Sequence, residues 1–343
     1  MTNSLLGNIL EGLIIMKQKV LETIKKFNLI KDGDKIVLGV SGGHDSISML
    51  NILNEIKHEQ SIKFEIYVAH VNHLIREEAI DDEEYVKDYC NKNGIECYIK
   101  RIDVEQIANT KKIGTEEAGR NVRYEFFEEV LQKTGSNKIA IAHNKNDKIE
   151  TIIMHLLRGS GLSGLKGIEP IRDNKYIRPL IECERQEIEQ YCEENKLNPR
   201  IDKTNFENEY TRNKIRNIVI PYIKKEFNPN ILQTLSRLSD VATEESNYVD
   251  KQTQKIYQQI LIERTDKQIV LNLKEFNKQE KVIKNRLILL TAKQLMGSTQ
   301  GIEKIHIEDI IKLCNNNIGN KYLTPNKNIK ILIKDKKINF IKM

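Results

Sequence analysis

Along the first two thirds of the chain, short apolar runs alternate with longer stretches in which apolar residues recur every three or four positions. The runs Lys35 to Val40, Phe64 to Val71, Glu96 to Ile102 and Lys138 to His143 read as strands, and the stretches between them read as helices. Glu77 to Asn93 is followed by Gly94, and Thr115 to Thr134 by Gly135, where glycine can take the left-handed backbone that closes a helix. Such β-α-β repetition predicts a doubly wound parallel sheet. Past Tyr210 the pattern changes. Asn213 to Lys225 reads as helix, Asn228-Pro229-Asn230 breaks the chain, and Ile231 to Ile262 reads as one or two long helices with Leu232, Leu235, Leu238 and Val241 on one side. Near the end, Lys330 to Lys334 and Lys337 to Phe340 alternate apolar and polar positions, which suggests terminal strands. The expected architecture is therefore α/β, a doubly wound parallel sheet followed by a smaller, mainly helical C-terminal domain. Met16 opens the helical pattern Val20, Leu21, Ile24 and Phe27, so residues 1–15 are read as an N-terminal extension or a misplaced start, 16–228 as the first domain and 229–343 as the second.

Composition narrows the classes. With 343 residues, 39% hydrophobic and 30% charged, the chain has room for two or three domains and a proper core. No apolar run approaches the roughly 20 residues of a membrane span, and Met1 to Ile15 has no basic residue ahead of its apolar stretch, so a secretory signal is disfavoured and a cytoplasmic location is expected. Charge is uneven. From Asn230 onward there are 20 Lys and Arg against 12 Asp and Glu, a net +8 within a whole-chain +6, which leaves about −2 for residues 1–229. The second domain is thus either an ordinary lysine-rich solvated surface or a nucleic-acid face. Five scattered cysteines with no C-x-x-C pair read as reduced thiols, not a disulfide framework or a zinc site.

The most informative stretch is Ser41-Gly42-Gly43-His44-Asp45-Ser46, which joins the first strand to the apolar-periodic segment after it. Two glycines let the backbone approach a ligand, and the Ser41 and Ser46 hydroxyls join the free N–H groups of a helix start to make an anion site. The Walker A spacing would need a lysine after its last glycine, and none stands here, so a kinase-like or GTPase-like reading is disfavoured. Ligands of doubly wound sheets bind outside the carboxyl ends of the strands. This loop, His70 to Arg76 and His143 to Asp147 all follow strands at those ends, so three distant motifs converge on one crevice. His44, His70, His73 and His143 lack the spacing zinc requires; for His70 and His73, a contact with nucleotide and a plain structural role stay equally open.

Ser41 to Ser46 resembles the S-G-G-x-D-S pyrophosphate loop (PP-loop) of the N-type ATP pyrophosphatases. Further stretches narrow the resemblance to tRNA(Ile)-lysidine synthetase. His70-Val71-Asn72-His73-Leu74-Ile75-Arg76 is similar to H-V-N-H-x-L-R, and Glu116 to Tyr124 to E-E-A-A-R-x-x-R-Y, with Gly119 replacing an alanine. Ala142 to Thr151 resembles A-H-x-x-D-D-x-x-E-T, Leu156 to Leu165 resembles L-L-R-G-S-G-x-x-G-L, and Asp202 to Asn205 with Tyr210 to Arg216 matches D-x-[ST]-N followed by Y-x-R-N-x-x-R. The resemblance implies an adenine nucleotide alpha hydrolase-like fold, with some members continuing into a further C-terminal domain that this chain does not reach. It implies transfer of AMP from ATP to O2 of the wobble cytidine, then attack of the lysine amine at C2 to give lysidine, which changes codon reading from AUG to AUA.

The partners so implied are ATP, Mg²⁺, tRNA(Ile) with a CAU anticodon and free L-lysine, with no membrane; a homodimer is compatible. Ser41, Gly42, Gly43, His44, Asp45, Ser46, His70 and Arg123 are expected at the nucleotide, with Asp45 as the candidate Mg²⁺ ligand. Asp45, Arg120, Asp147 and Glu150 are the expected catalytic residues. Arg158, Arg178, Arg212 and Arg216 are expected to contact tRNA. Asp147 and Glu150 lie in a helix's first turn, where carboxylates also serve as caps, and the glycines from Gly159 to Gly167 suggest a pliable loop. Two other readings compete: a tRNA thiolase or amidotransferase-like ATP pyrophosphatase, which should carry paired cysteines or a glutaminase nucleophile, and a non-catalytic ATP or RNA binder.

Overall fold

A computed structural model of the chain describes residues 2–59, 62–75, 79–200, 210–316 and 321–343, with side chains from Ile15 onward. Arg76 to Glu78 and Asp202 to Asn205, both parts of the motifs above, lie outside the described residues. The chain separates into two compact units, Met1–Asp240 and Val241–Met343.

The first unit is built on a six-stranded sheet. Its strands are β1 (Lys35–Gly39), β2 (Glu65–Asn72), β3 (Glu96–Arg101), β4 (Lys138–Ile141), β5 (Ile171–Arg172) and β6 (Tyr176–Ile177). They lie in the order β3-β2-β1-β4-β6-β5, parallel except for the β5–β6 pair. Ile36, Val37 and Leu38 are fully buried because helices cover both faces, which is why β1 is an unbroken apolar run. Their side chains alternate. Ile36 and Leu38 join a core with Val20, Ile24, Leu50 and Leu53, while Val37 joins Ala69, Phe127, Val130 and Ile139 on the other face. One helix, Thr2–Phe27, spans both the expected extension and the segment after Met16. The helix Thr115–Thr134 has the expected bounds and ends on left-handed Gly135.

Two expectations need correcting. The segment Asn213 to Lys225 is not one uniform helix: Thr211–Lys214 and Ile220–Glu226 are α-helical, and Ile215–Val219 between them is π-helical, a local widening of the turn. Ile231–Ile260 is a single helix, but Leu238 and Val241 are exposed, at 44% and 54%. Leu232, Ser236 and Ser239 are its buried positions there, and Ser239 Oγ donates to the Lys166 carbonyl at 2.8 Å. Small residues let this helix pack closely, so a search for large apolar side chains picks the wrong face.

The second unit combines helices Leu273–Asn277, Lys281–Met296 and Lys304–Asn316 with a five-stranded antiparallel sheet. Its strands are β7 (Leu261–Arg264), β8 (Gln268–Asn272), β9 (Lys321–Asn326), β10 (Ile329–Lys334) and β11 (Lys337–Lys342), ordered β7-β8-β11-β10-β9. The two terminal strands read from the sequence are β10 and β11, paired from Ile329↔Lys342 to Lys334↔Lys337. Ile329, Ile331, Ile333, Ile338 and Phe340 are buried on one face, with Lys330, Leu332 and Asn339 between them on the other. Among the described residues no helix is long and apolar enough to cross a membrane.

Candidate active site

The chain runs from β1 outward to β3 and then crosses back to lay β4 on the other side of β1. The carboxyl ends of β1 and β4 therefore flank the point where strand order reverses, the place where doubly wound sheets hold their ligands. The Ser41 to Ser46 loop leaves β1 there, and His143 to Asp147 leaves β4.

At the first loop, Gly42 takes a left-handed backbone with φ of 93°, which only glycine adopts without strain. The Ser46 hydroxyl accepts from the Ser41 N–H at 3.1 Å, donates to the Gly43 carbonyl at 3.0 Å and lies 3.2 Å from Ser41 Oγ. These bonds fold the loop over the start of helix His44–His58. Gly43 is the cap residue and has no side chain to satisfy the first N–H groups, so they stay available to an anion.

Across the crevice, Asn144 caps helix Lys145–Leu157. Its Oδ1 accepts from the Asp147 N–H at 3.0 Å, and Asp147 Oδ2 accepts from the Asn144 N–H at 3.1 Å. Asn144 Nδ2 donates to Asp45 Oδ1 at 3.0 Å, tying the two loops together. One turn on, Glu150 is 1% exposed. Arg216 meets it through two bonds, Nε to Oε1 at 2.7 Å and Nη2 to Oε2 at 2.9 Å, and Nη2 also donates to Asp147 Oδ1 at 3.2 Å. Arg185 Nη2 lies 3.7 Å from Asp147 and 3.8 Å from Glu150, and Arg212 Nε lies 3.9 Å from Glu150. Arg212 Nη2 also donates to Thr151 Oγ1 at 3.2 Å. Three carboxylates and three guanidinium groups thus share one partly dry pocket.

Burial dominates the protonation of this pocket. It pushes the Asp45 carboxyl up to about 6, with the neighbouring Asp147 carboxylate adding to the rise and Arg185, Asn144 and Arg216 opposing it. Glu150 is also raised by burial, against the pull of Arg216. Burial lowers His143 to about 4, and it accepts at Nδ1 from Arg178 Nε at 3.1 Å, which assigns its proton to Nε2. His73 is lowered to about 4 by burial and Arg123, and His70 is lowered by burial while its Nδ1 lies 2.9 Å from the Val40 carbonyl. Both rings keep a buried nitrogen without a partner, Nε2 of His70 and Nδ1 of His73. Cys183 and Cys192 have thiols raised by burial, to about 12 and about 11.

The crevice gathers Ser41, Gly42, Gly43, Asp45, Ser46, Asp147, Glu150, Arg212 and Arg216, with His70 beneath the first loop. Arg178 is buried beside His143, set back from the carboxylates. Arg123 is half a step away: its Nε donates to the Gly119 carbonyl at 3.4 Å while its charge acts on His73 and His143. Arg120 and Arg158 are exposed, the first over the Tyr124 ring and the second at the end of helix Lys145–Leu157. The glycine stretch is mixed, since a Cβ at Gly159 or Gly161 would meet nothing within 4 Å. At Gly167 φ is 63°, and a Cβ would sit 2.8 Å from Ile152 Cγ1, so glycine is required by close packing. Gly119 is a mild departure from the resembled pattern, since an alanine Cβ would meet His73 at an ordinary 3.6 Å.

Sequence reasoning passed over Asn144 and Arg185. Arg185 follows Glu184, which with Glu187 forms a capping box after the buried Leu180-Ile181 pair. That spacing marks a helix start at another strand-following position, the same signal that exposed the other loops. Glu184 also accepts from buried Lys145 Nζ at 2.9 Å, which fixes the two helix starts against each other.

Residues 14–223 match the PP-loop domain family. The chain is 47% identical over 312 residues to a tRNA(Ile)-lysidine synthase of Clostridium acetobutylicum, an alignment covering 91% of this chain and 67% of that protein. It is 45% identical over 312 residues to the tRNA(Ile)-lysidine synthase of Clostridioides difficile, with the same coverages. The chain therefore spans about two thirds of the length of these relatives. Among solved structures it is similar to the U34-tRNA thiolase NcsA of Methanococcus maripaludis, with a TM-score of 0.55 and 21% identity over 67% of this chain and 79% of that one, a likeness of fold. With the PP-loop domain covering most of the first unit and the crevice carrying the residues of its motifs, the chain belongs to the tRNA(Ile)-lysidine synthase family.

Proposed function

We propose that this chain uses ATP to ligate L-lysine to C2 of the wobble cytidine of tRNA(Ile) with a CAU anticodon, in the cytoplasm. The observation that carries the reading is the pairing of two unlike loops across one crevice: an uncapped helix start fit for phosphate, and a buried acidic pair fit for an ammonium group, joined by the bond from Asn144 to Asp45. In the first step cytidine O2 attacks the α-phosphorus of ATP and pyrophosphate leaves. Ser41, Gly42, Gly43 and Ser46 hold the phosphates through N–H and hydroxyl groups. In the second step the lysine amine attacks C2, the C2–O2 bond breaks, and AMP leaves carrying that oxygen.

Mg²⁺ fits the same place. Asp45 Oδ2 has no partner among the described residues, and the repulsion between Asp45 and Asp147 is what a divalent cation relieves. Mg²⁺ characteristically takes one or two carboxylates and completes its shell with phosphate oxygens and water. When bound, it would neutralise charge on the phosphates. Lysine enters as an ammonium ion with an ordinary pKa of about 10.4 and must lose a proton before it attacks. Glu150 and Asp147 receive it in the place Arg216 fills, and Glu150, made more basic by burial, is suited to take the proton. The basic C-terminal unit supplies phosphate contacts to tRNA.

A thiolase reading has less support. The Cys183 and Cys192 thiols near this crevice are held neutral by burial, the opposite of what a sulfur nucleophile needs. The test is pyrophosphate release measured with and without tRNA and lysine, together with incorporation of labelled lysine into tRNA(Ile). Release that depends on tRNA, followed by lysine incorporation, is expected. Release without incorporation, or incorporation of sulfur, overturns the reading.

A further inference from the structure

Beside the crevice, helix Thr115–Thr134 and strand β5 form an open groove of about 250 Å³ lined by Arg120, Asn121, Tyr124, Glu125 and Arg172. Two of its arginines lie at the Tyr124 ring. The Arg172 guanidinium lies 5.1 Å from the centre of the Tyr124 ring and 4.3 Å from that of Tyr176, and Arg120 lies 5.6 Å from Tyr124. Tyr124 and Tyr176 are tilted against each other with centres 5.3 Å apart. Arg172 Nε is buried without a hydrogen-bond partner, its nearest carboxylate being Asp173 at 3.4 Å. An aromatic ring flanked by two cations, one of them ion-paired to Asp173 but with an Nε that makes no hydrogen bond, fits a flat π-system carrying an anion.

The groove also connects to the reaction centre. Arg178 touches Tyr124 on one side and donates to His143 on the other, and His143 is next to Asn144, which caps the helix of Asp147 and Glu150. We propose that this groove is a subsite for an unpaired nucleotide flanking the one that reacts, its base stacked on Tyr124 and Arg172 and its phosphate held by Arg120 and Arg172. The inference rests on the reading of the crevice as the place where a tRNA base is modified. Single-stranded loops are recognised by splaying bases onto aromatic and guanidinium planes, and a volume below the roughly 300 Å³ of drug-sized pockets suits one base. Glu125 and Asn121 at the rim can pair with a base edge. The Glu125 carboxylate accepts only, so it favours an amino-bearing base.

The test compares wild type with Tyr124→Leu, Tyr124→Trp and Arg172→Gln, using tRNA(Ile) transcript in steady-state lysine incorporation. A transcript with 2-aminopurine beside the wobble position reports stacking in the bound state. Tyr124→Leu should raise the KM for tRNA about tenfold, with Tyr124→Trp close to wild type, as expected for loss and rescue of one base–aromatic stack. Arg172→Gln should raise it less and lower the salt slope of binding by about one unit. The 2-aminopurine signal should be quenched by wild type and not by Tyr124→Leu. Unchanged tRNA KM in both Tyr124→Leu and Arg172→Gln, with wild type active, overturns the subsite. Should Tyr124→Leu fail to fold, Arg172→Gln with an unchanged KM and salt slope does so alone. A wild type that binds tRNA but incorporates no lysine refutes the proposed function instead.

Discussion

The crevice and the C-terminal sheet both carry dense charge, yet they treat it in opposite ways. At the crevice Glu150 is 1% exposed and met by a two-pronged guanidinium, and its neighbours are fixed by bonds of 3.2 Å or less. In β10 and β11, Lys330, Lys334 and Lys337 lie on the face opposite buried Ile329, Ile331, Ile333, Ile338 and Phe340, and Lys330 lies over the Tyr322 ring at 4.1 Å. The same residue classes therefore serve two purposes. Enclosed charge has fixed geometry and shifted protonation, which chemistry needs, whereas exposed charge contributes long-range attraction without fixed geometry.

If that division holds, substitutions in the crevice should change turnover and those in the sheet should change binding. The largest effect is expected for Asp45→Asn, which should cut tRNA-dependent pyrophosphate release by about a thousandfold, the scale of losing a preorganised phosphate or metal contact. Circular dichroism should show an intact fold; near wild-type release would remove Asp45 from the first step. Next, Arg216→Ala should lower single-turnover lysine incorporation by about a hundredfold with tRNA saturating, and lower stability by about 3 kcal/mol, because it leaves Glu150 buried without its partner. Arg212→Ala should act in the same direction and less strongly. Unchanged turnover at saturating tRNA would return both arginines to a binding role.

Glu150→Gln separates the half-reactions. It should raise the KM for lysine about tenfold or more while pyrophosphate release changes little, and equal losses in both would count against a lysine site. A pH series sharpens the contrast further. Burial holds metal-free Asp45 near 6, so protons compete with Mg²⁺ there and the Mg²⁺ needed for half-maximal pyrophosphate release should rise as pH drops through about 6. The sign for stability is opposite. The folded pKa lies above the unfolded value of 3.8, so the favourable contribution of Asp45 is complete below 3.8 and lost as pH rises through about 6. Asp45→Asn should accordingly gain Tm relative to wild type at pH 8 compared with pH 5. The smallest effect on turnover is expected in the sheet. Replacing Lys321, Lys327, Lys330, Lys334, Lys336 and Lys337 by Ala should weaken tRNA binding and flatten its salt dependence by up to about 0.9 per lost phosphate contact, with ATP binding unaffected. An unchanged slope in filter binding would make that face merely solvated.

The parallel sheet was legible because its central strand β1 is buried on both faces and reads as an unbroken apolar run beside a loop of distinctive residues, with β2 and β4 repeating the pattern. Asp45, Asp147 and Glu150 stood out for the same reason: short-range rules place a helix start after a strand. Arg185 and the bond from Asn144 to Asp45 depend on which strands become neighbours, and pairing β1 with β4 across about 100 residues has no local signature. Strands β7 and β9 were missed because neither has a fully buried residue to set up an apolar pattern, and the buried run Ile269-Val270-Leu271 of β8 is too short to tell strand from helix by periodicity. The helix Ile231–Ile260 misled for a different reason, since its packing uses serines where apolar size was the signal sought.

The position of Arg216 has a kinetic consequence. If the acidic pair receives the lysine amine as proposed, Arg216 occupies that place in the resting site as a tethered competitor, so Arg216→Ala should lower the KM for lysine even as it lowers turnover at saturating lysine. Apparent affinity for any incoming amine is then its intrinsic affinity scaled by the fraction of time the guanidinium is away. A ligand anchored by its amine alone suffers that full reduction, whereas an amino acid with a second charged end can offset it through contacts elsewhere. An occupied resting site of this design would leave an activated base unspent in the presence of stray amines, and discrimination would come from the incumbent residue as much as from the shape of the pocket.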